Sequence, residues 1–129
     1  MMYRILLVLA YLLYWVAESQ SESWTWLASS HSTEEIPPKA YHLFRLPETL
    51  AIMGSFFLNG YLLFGINGLI VMSISTVTGV ILYERFYCLR TYHNFWHEKQ
   101  SEWLGISHLK VWQEIVLFVV SVISLGYIL

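Results

Sequence analysis

A chain of 129 residues that is 57% apolar, 17% aromatic and only 12% charged has too little polar surface to wrap a water-soluble core, and it reads as an all-α integral membrane protein. Its formal charge of −2, with seven scattered Lys and Arg and no basic patch, argues against nucleic acid as a partner. Asp is absent and Cys88 is the single cysteine, so the usual intramembrane acid and any internal disulfide are excluded.

Residues 1–17 form the first apolar segment, in which Arg4 precedes the run Ile5 to Ala17. Ala17-Glu18-Ser19 has small residues at the spacing of a signal-cleavage site, so the segment is a secretory signal if cleaved and a first transmembrane helix if retained. As a retained span it sets Tyr3, Tyr11, Tyr14 and Trp15 near the interfaces. Residues 18–47 read as a polar loop rich in Ser, with Glu22, Glu34 and Glu35 and the breaker pair Pro37-Pro38. Trp24, Trp26 and Leu27 dip into the headgroup layer, and Pro37 ends any helix that Ser32-Thr33-Glu34-Glu35 would start.

From Thr49 to Tyr83 the chain runs 35 residues without a charge, closed by Glu48 and Glu84. One straight helix of that length reaches about 52 Å, against a hydrocarbon core of about 30 Å. The cluster Gly65-Ile66-Asn67-Gly68 lies at its middle and supplies residues that tolerate φ > 0. The run is therefore expected to fold as a tight central hairpin of two spans, 48–64 and 68–84. Pro47 opens the first span, where a missing N–H costs nothing. Arms of 17 residues, about 25 Å each, suit a thin bilayer such as that of the endoplasmic reticulum. Gly54 and Gly60 on the first arm let a second helix approach closely, and Asn59 has hydrogen-bonding capacity for a partner at membrane depth.

Residues 85–110 form a loop with an interfacial helix, since Phe86, Leu89, Tyr92, Trp96 and Trp103 fall on one helical face. Residues 111–129 are the fourth span, with Glu114 near its start, where it reaches headgroups or pairs with Lys110 at i, i+4. With four spans, both polar connections share one side and hold six of the seven Lys and Arg, which assigns them to the cytosol.

These segments carry little catalytic or ligand-binding chemistry. His93 and His97 stand four apart, with Cys88 and His108 nearby in sequence, but there is no His-Glu-x-x-His frame and no second Cys. All five His lie in the connections, which argues against haem between helices. No nucleophile and base, phosphate loop or paired acids stand out, so the expectation is that the chain is no enzyme and holds no cofactor.

Over roughly residues 44–129, Leu46-Pro47-Glu48, Phe57-Leu58-Asn59-Gly60-Tyr61, Leu89-Arg90-Thr91, Leu109-Lys110 and Leu117-Phe118 resemble the cornichon family of early-secretory-pathway cargo receptors. The resemblance implies four helices, client transmembrane proteins packed near Gly54, Phe57, Asn59, Gly60 and Tyr61, and contact with the COPII vesicle coat through Leu89, Arg90 and Thr91. It implies residence in the endoplasmic reticulum, with membrane lipid, clients and coat as partners. The other reading is a small accessory subunit of a larger membrane complex, such as a respiratory or receptor assembly, with the mitochondrial inner membrane as its alternative location. A channel or transporter fragment fits less well without buried charge. Cysteines placed at Ser30, Asn67 and Ser101 test the four-span arrangement: Ser30 and Ser101 are expected to label from the cytosol and Asn67 from the opposite compartment.

Overall fold

Val8, Tyr11 and Trp15 recur at helical spacing along the first apolar segment, so one face of that helix is apolar and has to find cover. In the computed structural model, which describes residues 2–29, 38–96 and 110–129, those three side chains are buried. Of residues 22–29, 38–45 and 91–92 the backbone alone is described. The helices are α1 (Met2–Ser29), α2 (Pro38–Phe64), α3 (Ile66–Tyr92) and α4 (Val111–Ile128). The core joins Val8, Tyr11 and Trp15 to Val71, Met72 and Val80 of α3 and Leu125 of α4, with Met53, Phe56 and Phe57 of α2 packed against them. α3 is the central element and packs against all three other helices. Three helical stretches, Met2–Ser21, Ile66–Arg90 and Val111–Ile128, are long and apolar enough to cross a membrane, which fits an all-α membrane protein. α2 is not among them; its apolar part is diluted by Pro47, Glu48 and Asn59.

α2 and α3 meet at a single residue. Gly65 takes φ 67° and ψ −143°, a conformation open to glycine, and its N–H donates to the Tyr61 carbonyl at 2.7 Å. Asn67 and Gly68, expected in the turn, lie instead in the first turn of α3. One positive φ suffices for the break, and Gly68 serves a different purpose. A Cβ there would overlap the carbonyl of Gly60, so the two backbones touch. Tyr11 reaches both helices, its hydroxyl 2.7 Å from Thr76 Oγ1 and its ring 4.6 Å from that of Phe56. At the start of α1, the Arg4 guanidinium lies 4.5 Å over the ring of Phe64 at the end of α2.

The polar connections are more helical than their composition suggests. The loop expected over 18–47 is replaced at both ends, because α1 continues to Ser29 and α2 already begins at Pro38. On α1 the reason is pairing: Glu18 and Ser19 are buried, Ser19 Oγ donates to the Val16 carbonyl at 2.6 Å, and Gln20 bonds to α3. Pro47 sits inside α2 and not at its first turn, where it costs one backbone bond without ending the helix. α3 likewise runs past Glu84 to Tyr92, because Glu84 and Arg85 are buried with partners. The interfacial helix expected from Phe86 onward is thus the last part of α3, closed by His93 at φ 55°; Trp103 lies outside the described residues.

Trp15 packs its indole against Gly79, where a Cβ would come within 2.8 Å of Nε1 and closer still to the ring carbons. Gly54 has nothing within 4 Å of the same atom. Gly79→Ala is therefore expected to lower stability by about 1–3 kcal/mol, and Gly54→Ala to stay within about 0.5 kcal/mol, in unfolding titrations of the detergent-solubilised chain.

Candidate functional site

One end of the bundle buries charge. It gathers Glu18, Ser19 and Gln20 from α1, Glu84 to Arg90 from α3, and Glu114 from α4. Arg85 is the hinge of this group, because its long arm spans from α3 to α4. Its Nη2 lies 3.0 Å from Glu114 Oε2 and 3.8 Å from Glu84 Oε1, and the side chains of Arg85, Glu84 and Glu114 are 5%, 9% and 1% exposed. Removing such ions from water costs several kcal/mol each, which a close pair with further hydrogen bonds offsets. Arg85 Nη1 supplies one of these, donating to the Phe95 carbonyl at 2.9 Å. That carbonyl is held in place by its own ring, which stacks edge-on against Phe86 at 5.8 Å and Trp96 at 4.9 Å. Asn94 Oδ1 accepts from the Trp96 N–H at 3.1 Å and tightens the same segment.

A second polar contact ties α1 to α3. Gln20 Nε2 donates to the Phe86 carbonyl at 3.2 Å, and Arg90 Nη1 donates to Gln20 Oε1 at 3.1 Å. Deeper in the bundle, Thr78 Oγ1 donates to Ser121 Oγ at 2.8 Å and links α3 to α4.

The residues singled out from the sequence do not form one surface. Leu89 is exposed on the last turns of α3, Arg90 is half-buried and engaged with Gln20, and the Thr91 side chain lies outside the described set. On α2, Gly54, Asn59 and Tyr61 face outward, whereas Phe57 packs on the core and Gly60 is buried against Gly68 and Met72. The helical turn imposes this division, since positions 57 and 60 share a face that 54, 58 and 61 do not. Asn59 Nδ2 donates to the Ser55 carbonyl of its own helix at 2.8 Å. Glu114, expected beside Lys110, turns inward to Arg85 while Lys110 is exposed. His93 is exposed, and His97 and His108 lie outside the described residues; among the described residues no group of three His, Cys, Asp or Glu is positioned for a metal. The Arg85 group escapes a reading of the sequence because Glu84 and Arg85 stand at the border of an apolar run. The available signal was an opposite charge, Glu114, at the matching border of the last span. Comparison with protein-family models, with curated proteins and with solved structures finds no match.

Replacing Arg85 alone leaves two buried carboxyls without their cation. Arg85→Met is expected to cost about 3–5 kcal/mol in detergent unfolding, and the joint Arg85→Met and Glu114→Met variant to recover part of that loss.

Proposed function

We propose that this chain is a four-span membrane adaptor of the early secretory pathway, with α2 and α3 as a hairpin of two spans, that holds client transmembrane helices and links them to the vesicle coat. The observation that carries the reading is the outer face of α2. It is the helix whose composition falls short of a free-standing span, yet it exposes Leu50, Gly54, Leu58, Tyr61 and Leu62, with open space above Gly54. Lipid tails are as apolar as leucine, so helix association in a bilayer relies on close backbone approach and on polar contacts. Gly54 offers the first. Asn59, with one amide hydrogen given to Ser55, offers the second.

The arrangement of ends supports a shared cytosolic side. Arg4 of α1 meets Phe64 of α2 at one end, while Gln20 meets Phe86 and Arg90, and Arg85 meets Glu114, at the other. The ends of α1 and α3 that lead into the two polar connections lie at that second end, in keeping with the positive-inside bias. Leu89, exposed there beside Arg90, is the coat-facing position, and the resemblance to cornichon receptors supports the endoplasmic reticulum as the location.

A second reading, an accessory subunit of a larger respiratory or receptor complex, draws on α4. Its outward face exposes Trp112, Ile115, Val116, Val120, Ile123 and Tyr127. A stoichiometric assembly that survives purification in mild detergent favours that reading; varied, weakly held clients favour the adaptor.

Leu89→Ala with Arg90→Ala, compared with Gln20→Ala, tests the coat contact. Both break the Gln20 to Arg90 bond, and Gln20→Ala also loses its bond to the Phe86 carbonyl, so the control carries that structural loss while leaving Leu89 and Arg90 in place. Client export from the endoplasmic reticulum is expected to fail in the double variant and to persist in Gln20→Ala; equal export in the two sinks the proposal.

A further inference from the structure

Two acids and one base meet in the Arg85 group, and the count of charges does not close. Glu84 Oε1 and Glu114 Oε2 approach the same nitrogen, Arg85 Nη2, at 3.8 and 3.0 Å. The other guanidinium terminus is already given to the Phe95 carbonyl. Among the described residues Arg85 is the cation in contact with either carboxyl; Lys110, one turn before Glu114, is exposed, and Arg90 is turned to Gln20. The other ionisable groups described at this end include Glu18 of α1, buried, Glu48 of α2, exposed, Tyr87 and Cys88 of α3, buried, and His93 at the end of α3, exposed. The two carboxyls thus crowd a single nitrogen, each with an oxygen within 4 Å of it. Both carboxyl oxygens of Glu114 are buried with no hydrogen-bond partner among the described residues.

Two carboxylates in buried contact repel, and an ionised carboxylate has no hydrogen to offer the other. One added proton resolves both faults. It forms an O–H bond on one acid, is accepted by an oxygen of the other, and leaves a single negative charge opposite the single guanidinium. We propose that Glu84 and Glu114 together bind one proton, taken from water at the polar end of the bundle, and that this proton holds the start of α4 against α3.

The consequence is a packing that depends on proton supply. Release of the proton leaves two carboxylates to share Arg85, and α4 is pushed away from α3 at its N-terminal end. Cys88 reports this without any added label. It lies four residues after Glu84, on the same side of α3, and is fully buried.

The experiment uses the full chain in lipid vesicles. Infrared difference spectra over an alkaline titration are expected to show one protonated carboxyl that disappears as pH rises, and that is absent from both Glu84→Gln and Glu114→Gln. In parallel, the rate of Cys88 alkylation, divided by that of the unfolded chain at the same pH, is expected to rise on alkalisation in the wild type and to stay low in Glu114→Gln, which keeps a neutral side chain in place. Absence of the carboxyl band in the wild type, or its survival in both single variants, overturns the proposal. So does Cys88 in Glu114→Gln reacting as fast as in the unfolded chain at every pH, which assigns Glu114 to packing alone.

Discussion

In a bilayer, two apolar helix faces gain little by leaving lipid for each other, so the few polar contacts between helices decide where each helix sits. The pair of Arg85 and Glu114 is that contact for α4. α4 is the least enclosed of the three span-like helices, with 17% of it buried, against 44% for α3. Its anchors are Glu114 near the start, Ser121 bonded to Thr78 in the middle, and Leu125 in the core. Of these the ion pair has the most at stake, because a buried charge left alone costs far more than a lost methyl contact. Arg85 also holds the Phe95 carbonyl, so the same guanidinium fixes the path by which the chain leaves α3.

α1 and α2 are attached to α3 by a different device, which is the matching of small residues to whatever stands opposite. Gly79 accepts the indole of Trp15, and Gly68 accepts the backbone of Gly60. Between them, Thr76 accepts the hydroxyl of Tyr11. A row of aromatic contacts then continues along α1 and α3 through Tyr14, Trp15, Tyr83 and Tyr87. α3 therefore serves three neighbours with three faces: glycine toward α2, glycine and threonine toward α1, and threonine and arginine toward α4.

This division explains what could be read from the sequence. The helical class followed from composition, and the break near residue 65 from a cluster of residues that tolerate positive φ. Both are local properties. The helicity of residues 18–29 was hidden because Ser, Glu and Gln in a row look the same whether they face water or a second polar surface. The deciding fact is that Gln20 meets Arg90 and the Phe86 carbonyl, two contacts across long stretches of chain that no periodicity reveals. For the same reason Arg90 looked free to meet an outside partner, and Gly60 and Phe57 looked equivalent to Gly54. Only the rotation of α2 against α3 separates the buried pair from the exposed one.

Depth accounts for where the charges lie. Counted from Gly65 at about 1.5 Å per residue, Arg85 stands about 30 Å along α3, which is the thickness of a hydrocarbon core. Glu114 lies one turn into α4 from the same side. A bilayer with one face at Gly65 would therefore have the Arg85 group at its other face, the position at which charged side chains are least costly to a membrane helix. The extension of α3 to Tyr92 also changes the argument from length. Arms of 17 residues favoured a thin bilayer, but a helix of 27 residues spans any ordinary one with its last turns standing clear. Those last turns carry Arg85, Leu89 and Arg90, of which Arg85 meets Glu114 of α4 and Arg90 meets Gln20 of α1.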